Sequence, residues 1–359
     1  MRWWLLALAT AAAGPVRAQE AAVPAGTEAL LRVLVEAYGP SGMEAPVREA
    51  VRRALPAWAR PEVDSAGNLI VTLGRGEPTV VFVAHMDEVG FEVRAIAEDG
   101  TLEVEPLGGL FPSLWEGRPA LVHSGGRPVP GVFPPRPADA PATRQPPALR
   151  VDLGTGSRAG TEALGVRVGH TVTSPKEYVR LAGFRATGRS FDDRVGSAAL
   201  VLAVRGLDPA RLRHTVVFIW STREEIGLEG ARAAAHALGT RPARVHAVDT
   251  FVSADSPLEP RGFAVAPLGR GPVARALDNS SVTPPALLDS LVAVARARSI
   301  PLQVGATNGG NDGSAFGEYG VPDVPIGWPL RYSHSPVEVV DLRDVAGLAA
   351  LVRAAAQDW

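Results

Sequence analysis

The chain has 359 residues, enough for one large domain or two with a sizeable core. Its 46% hydrophobic and 21% charged residues describe an ordinary globular protein, and a net charge of -2 gives no reason to expect nucleic acid or an anionic membrane as partner. There is no cysteine, which excludes disulfides, thiolate nucleophiles and thiolate metal ligands together.

At the N-terminus Arg2 precedes an apolar run from Trp3 to Ala13, then Gly14-Pro15 and the small-x-small pattern Val16-Arg17-Ala18 ahead of Gln19. The run is shorter than the roughly 20 apolar residues of a bilayer span, so it predicts an export signal over 1–18 with cleavage near Ala18-Gln19. The mature chain is expected to be periplasmic or secreted, with no membrane attachment once the signal is removed.

Residues Gly26 to Ala54 have helical spacing, broken at Gly39-Pro40-Ser41-Gly42. A hairpin is expected over Glu62–Val71. The run Thr79–Ala84 is continuously apolar, as in a strand buried on both faces of a parallel sheet. It ends in His85-Met86-Asp87-Glu88-Val89-Gly90-Phe91. A histidine at a strand end can be a plain loop residue, but a metal-bound imidazole gives its second N–H to a carboxylate, and Asp87 is placed to receive it.

From Glu92 to about Leu181 the pattern changes to short alternating segments separated by turns, which predicts a small β-barrel or sandwich domain inserted at 92–181. It includes a proline-rich stretch, 134–147, expected to be extended. His123 and His170, in the same region, are expected to be structural or surface residues.

The α/β pattern resumes at Phe191-Asp192-Asp193-Arg194-Val195-Gly196, ahead of a helix from about Val195 to Leu207. Acids there are favoured by the helix dipole, and one could instead bridge two metals. Next, the apolar run Thr215–Trp220 leads into Ser221-Thr222-Arg223-Glu224-Glu225-Ile226-Gly227 and a helix over Leu228–Leu238. Two carboxylates thus sit where a strand ends, the edge at which open α/β sheets bind ligands. Neighbouring side chains diverge there, so one can hold a metal while the other faces a water.

A strand over Arg244–Asp249 again ends in an acid. A helix (Pro284–Arg298), a strand (Leu302–Gly305), a glycine-rich loop at 308–313 and a strand (Asp323–Gly327) follow. The glycine-rich loop reads as a turn or as one wall of a substrate pocket. The loop Trp328-Pro329-Leu330-Arg331-Tyr332-Ser333-His334-Ser335-Pro336 carries His334, and a helix over Leu342–Ala355 closes the chain.

His85, Asp192, Glu225, Asp249 and His334 make two imidazoles and three carboxylates. This set suits two borderline divalent ions, with zinc expected and cobalt or manganese as alternatives. If one carboxylate bridges, each ion keeps open positions for water and substrate. Glu224, beside a ligand yet not needed as one, is the natural general base.

Five spaced segments resemble the dinuclear metallo-aminopeptidases of the glutamyl, or deblocking, aminopeptidase family, which includes the tetrahedral (TET) peptidases. They are His85–Phe91, Phe191–Gly196, Glu224-Glu225-Ile226-Gly227-Leu228-Glu229-Gly230-Ala231, the acid at Asp249, and Arg331-Tyr332-Ser333-His334-Ser335-Pro336. The resemblance implies an α/β fold of zinc-peptidase type: a mixed, largely parallel sheet flanked by helices. The catalytic domain would comprise 22–91 and 182–359, with the small β-barrel between.

It implies further that His85, Asp192 and Asp249 bind one metal and Asp192, Glu225 and His334 the other. Glu224 would be the base and Asp87 the acid that orients His85. The reaction would be hydrolysis of the N-terminal bond of peptides with a free N-terminus, by a homo-oligomer of two to twelve chains. Pro134-Pro135-Arg136 departs from the family's Pro-Pro-His, and Gly310-Asn311-Asp312 stands where a Thr-Asp pair is common. The competing expectations are a metal-dependent deacylase or amidase of N-acyl amino acids and a catalytically silent binding homologue.

Overall fold

The computed structural model describes residues 23–136, 148–258, 262 and 264–358. The expected export signal and residues 137–147 of the proline-rich stretch lie outside them. Among the described residues no helix is long and apolar enough to cross a membrane.

Helices α1 (Thr27–Glu36) and α2 (Ala45–Ala54) flank the break at Gly39-Pro40. The hairpin β1 (Glu62–Val63) and β2 (Leu69–Leu73) leads to β3 (Thr79–His85), buried along its whole length. Next come β4 (Gly90–Ile96), β5 (Leu102–Leu107), β6 (Pro119–His123), β7 (Val129–Val132), β8 (Leu149–Val151), the short helix α3 (Arg158–Ala163) and β9 (Thr171–Thr173). The chain returns through β10 (Val179–Arg180) and β11 (Arg185–Gly188) to α4 (Phe191–Gly206), β12 (Thr215–Ser221), α5 (Glu229–Leu238) and β13 (Pro242–Val252). It ends with β14 (Val273–Leu277), α6 (Pro285–Ala297), β15 (Gln303–Ala306), α7 (Ser314–Gly317), β16 (Ile326–Leu330), β17 (Glu338–Asp341) and α8 (Leu342–Asp358).

Eight strands form one mixed sheet in the order β1-β2-β12-β3-β13-β16-β14-β15. Its centre, β12-β3-β13-β16, is four neighbouring parallel strands, so four carboxyl ends open on one edge. Alternation along each strand feeds two cores: Val80, Phe82, Phe218 and Trp220 face one with α4 and α8, while Val81, Val83, Val217 and Ile219 face the other with α5 and α7. Burial on both faces is why these strands are apolar without interruption. The architecture is the α/β sheet flanked by helices that the sequence predicts.

Two strand boundaries differ from expectation. The strand expected at Asp323–Gly327 runs instead over Ile326–Leu330, which pairs with Val248–Val252 of β13, while Asp323 makes an isolated bridge to Val245. The strand expected to end at Asp249 continues to Val252, because Thr250 and Val252 still pair with Trp328 and Leu330 after β3 has stopped.

The six strands β4 to β9 are antiparallel throughout, in the order β7-β6-β9-β4-β5-β8. The two edges meet at Val132 and Asp152, which exchange both backbone hydrogen bonds at 2.9 Å and close the sheet on itself. Its core includes Phe91, Trp115 and Phe133, each fully buried and each contributing about 1.5–3 kcal/mol. Strand β10 pairs outside this unit, with β11 and through it β17. His123 is buried with Nε2 2.8 Å from Thr173 Oγ1, and His170 accepts a hydrogen bond from Arg167 N–H, both far from the sheet edge described next.

Candidate metal centre

Strand register sets the level of the site. Ser221 is the partner of His85 across β12–β3, and Ala247 is the partner of Val83 across β13–β3, which leaves Asp249 level with His85. Glu224 and Glu225 lie just past the end of β12, and His334 lies past the end of β16. Asp192 enters from the start of α4. The fold therefore collects His85, Asp192, Glu224, Glu225, Asp249 and His334 at one edge, from positions up to 249 residues apart (334 minus 85).

Donor atoms fall into groups within 4.8 Å: His85 with Asp192 and Asp249, Asp192 with Glu225 and His334, and His85 with Glu224 and Glu225. Asp192 stands between the two rings. Its Oδ1 is 3.3 Å from His85 Nε2, and its Oδ2 is 3.4 Å from His334 Nε2, which is also 3.4 Å from Glu225 Oε2. The adjacent Asp193 does the helix work instead, accepting from Gly196 N–H at 2.9 Å and from Trp328 Nε1–H at 3.2 Å. Of the Asp192-Asp193 pair, Asp193 thus takes the helix-start role and Asp192 faces both rings.

Asp87 is a junction. Its Oδ1 lies 3.3 Å from His85 Nδ1 and accepts from Glu224 N–H at 2.9 Å, and its Oδ2 accepts from Glu225 N–H at 3.2 Å and from Ser41 Oγ–H at 2.6 Å. One carboxylate thereby orients the His85 ring and the backbone of both glutamates.

Sequence reasoning missed three partners. Glu338, 1% exposed, accepts from Phe191 N–H at 2.7 Å and His334 N–H at 3.0 Å, so it fixes the backbone on both sides of the site. The Gly109 carbonyl, in the barrel's β5–β6 connection, accepts from His334 Nδ1 at 2.6 Å, which leaves Nε2 to face Asp192. Asp312 accepts from Ser221 Oγ–H and ties the glycine-rich loop to the end of β12. The contacts to Phe191, Ser221 and His334 Nδ1 span 91 residues or more and carried no local signal; only Glu338 to His334 N–H, four residues apart, is local.

The electrostatics call for positive charge. Burial pushes Glu224 well above the ordinary carboxylate range, aided by Asp249 and Glu225. Burial and the Asp192 charge push Asp249 up to about 6. Burial opposes charge on His85 and His334 as well, yet hydrogen bonds to Asp192 and Asp87, and for His334 the Glu225 charge with contacts to Asp192 and Glu225, hold both rings above their ordinary range. An imidazole must be neutral to ligate, so metal binding at these rings would release any proton they carry. Glu225 Oε1 is buried without a hydrogen-bond partner, as a ligand atom awaiting an ion would be. Imidazole nitrogen and carboxylate oxygen suit zinc, cobalt or manganese, so the residues present fit divalent ions.

The cluster opens into a cavity of about 500 Å³, within the range of small-ligand sites. Asn308, Gly309 and Gly310 line it, so the glycine-rich loop forms a wall.

Comparison with known proteins agrees with this geometry. The model of the M42 glutamyl aminopeptidase family matches residues 67–351. A lysyl aminopeptidase of Pyrococcus furiosus is 32% identical over 339 residues, covering 90% of this chain and 95% of its own. A glutamyl aminopeptidase of Lactococcus lactis is 29% identical, covering 90% and 94%. Among solved structures, a TET1 peptidase of Pyrococcus horikoshii, which can assemble into a tetrahedron or a large octahedral shell, superposes with a TM-score of 0.85 at 32% identity, covering 93% of this chain and all of its own.

Proposed function

The chain belongs to the M42 glutamyl aminopeptidase family and is a metal-dependent aminopeptidase, and on that premise we propose that it removes the first residue of peptides with a free α-amine at a site for two divalent ions, with Glu224 as general base. His85, Asp192 and Asp249 would hold one ion, and Asp192, Glu225 and His334 the other, with zinc the expected metal. Ions held there supply Lewis acidity, lowering the pKa of a water and polarising the scissile carbonyl.

The chain's own residues do the rest. Glu224 takes the proton of the attacking water and returns it to the departing amine. Burial raises its pKa above the ordinary carboxylate range, which favours the proton it must take up. Asp87 fixes the His85 tautomer and the backbone from which Glu224 projects. Glu338 and the Gly109 carbonyl hold His334 from its two sides. The observation that carries this reading is Asp192, one carboxylate whose two oxygens face two different imidazoles at 3.3 and 3.4 Å.

Two further parts of the proposal concern the whole protein. Residues 1–18 act as an export signal, cut near Ala18-Gln19, so that the enzyme works in the periplasm or outside the cell. The subunits form a homo-oligomer, a reading supported by the assemblies of the TET1 relative.

The test is hydrolysis of aminoacyl p-nitroanilides by the mature chain, before and after chelation and with zinc or cobalt restored, alongside metal analysis. Chelator-sensitive release from free-amine substrates, with two ions per chain, supports the reading. Turnover confined to N-acylated substrates would favour a deacylase, and one ion per chain in the fully active enzyme would remove the two-metal assignment.

A further inference from the structure

The cavity wall beyond the ligand cluster is neutral. Phe111, Leu228 and Val252 are its apolar side chains, beside the uncharged Thr250, Ser280, Asn308, Ser314 and Ser333. Among the described lining residues no carboxylate lies outside the proposed ligands and Glu224. Arg275 is the one lining guanidinium, and its terminal nitrogens are already engaged. Nη1 donates to the Thr250 carbonyl at 3.0 Å, and Nη2 donates to the Gly310 carbonyl at 3.1 Å and pairs with Asp278 at 2.9 Å. Its side chain is 1% exposed. On the wall beyond the ligand cluster an ammonium would find no carboxylate, and a carboxylate would find both terminal nitrogens of Arg275 already engaged, whereas an apolar side chain there would gain by leaving water.

Phe111 comes from the barrel, not from the sheet that carries the ligands. It is 69% exposed, two residues after the carbonyl that holds His334. The connection that presents it is pinned: Gly108 has φ +92, and a Cβ there would lie 2.8 Å from Val89 Cγ1 and 3.3 Å from Glu225 Cβ. Leu228 follows Glu225 by three residues, so the two apolar side chains flank the Glu225–His334 half of the site.

We propose that the cavity selects peptides with an apolar first residue and that Phe111, supplied by the barrel, is a specificity-determining contact for that side chain. The proposal rests on the free-amine hydrolysis described above. It assigns the barrel a direct part in substrate choice.

The test compares kcat/KM for leucyl, phenylalanyl, methionyl, alanyl, glutamyl and lysyl p-nitroanilides in the metal-loaded enzyme and its Phe111→Ala variant. Leucyl, phenylalanyl and methionyl substrates should exceed glutamyl and lysyl ones by about tenfold or more, and Phe111→Ala should lower leucyl and phenylalanyl turnover about tenfold while changing alanyl turnover less than about threefold. Phe111 is largely exposed, so the melting temperature should stay put and separate the effect from misfolding. Preference for glutamyl substrates would transfer selection to Arg275, and preference for lysyl substrates would transfer it to the acidic cluster; either overturns the proposal while leaving the aminopeptidase intact. Equal loss on every substrate in Phe111→Ala would overturn the role of Phe111. Failure on all free-amine substrates with metal bound would strike the hydrolysis reading itself.

Discussion

His85 and Glu88 stand three residues apart and enter two different clusters of buried charge. Around Glu88, itself fully buried, the chain supplies the cations: Arg189 Nη1 at 2.9 Å, Lys176 Nζ at 2.5 Å and Arg194 Nη2 at 3.7 Å, with Gly39 N–H at 2.8 Å and the Ser190 hydroxyl. Around His85, Asp192, Glu224, Glu225 and Asp249 surround two imidazoles, and among the described residues the one fixed cation beside them is Arg275, 3.8 Å from Asp249 and shared with Asp278. The first cluster is saturated and sits where the chain crosses between sheet and barrel, Glu88 on the way in and Lys176 on the way out. The second is short of positive charge and borders a cavity. Buried charge satisfied from within makes a joint. Buried charge that must be satisfied from outside makes a site.

The sharpest break in this contrast is on the reactive side. Glu224→Gln should lower kcat by about 10²–10⁴-fold, the range for removing a general base, while metal analysis shows unchanged content. Loss of metal in that variant would make Glu224 a ligand.

On the saturated side, Glu88→Gln leaves three buried cations around a neutral amide and should cost about 3–5 kcal/mol in urea unfolding. The same group predicts an acid limb. Burial raises the Glu88 pKa, but Arg189, Lys176 and Arg194 outweigh it and hold the carboxyl well below its ordinary 4.5. Its stabilisation is therefore present above about pH 4.5 and is lost as the pH falls below that value towards the folded pKa. The wild type should lose stability over that window more steeply than Glu88→Gln, and parallel curves would refute the assignment.

Chelation should separate the clusters. At free metal of about 100 times Kd, each bound ion adds about 2.7 kcal/mol, so removing two should lower stability by roughly 5.4 kcal/mol in the wild type and in Glu88→Gln alike. A chelator effect that disappears in Glu88→Gln would mean the two clusters are one.

Asp87→Asn tests the link between them. Its carboxylate orients His85, while its backbone carbonyl accepts from Arg194 Nη1 at 3.0 Å. Loss of an orienting acid costs about 10–100-fold in metal affinity or activity, and zinc titration should show it with little change in urea midpoint of the metal-free chain. A midpoint shift as large as that of Glu88→Gln would assign Asp87 to the joint.

Much of this was legible in one dimension because parallel strands buried on both faces must read as continuous apolar runs. The polar residue that ends such a run lands at a predictable edge. His85 and Glu225 were found in that way, and Asp249 was found although its strand runs on to Val252. Asp192 could not be told from Asp193 by pattern, since both open the same helix; only packing turned one toward the rings and the other onto Gly196 N–H. The β16 boundary is set by its pairing with Val248–Val252 of β13, which the apolar pattern of 323–330 does not reveal.

The sequence by itself determined the sheet, the insertion between its strands, and which residue types arrive at its carboxyl edge, because periodicity and strand ends are local properties. Only the tertiary structure decided that Glu338 reaches Phe191 N–H across 147 residues, that a barrel carbonyl orients His334 across 225, that Phe111 joins the cavity wall, and that Glu88 belongs to a joint and not to the site. These are contacts between distant segments, and a residue's local pattern carries no record of which distant atoms will satisfy its polar groups.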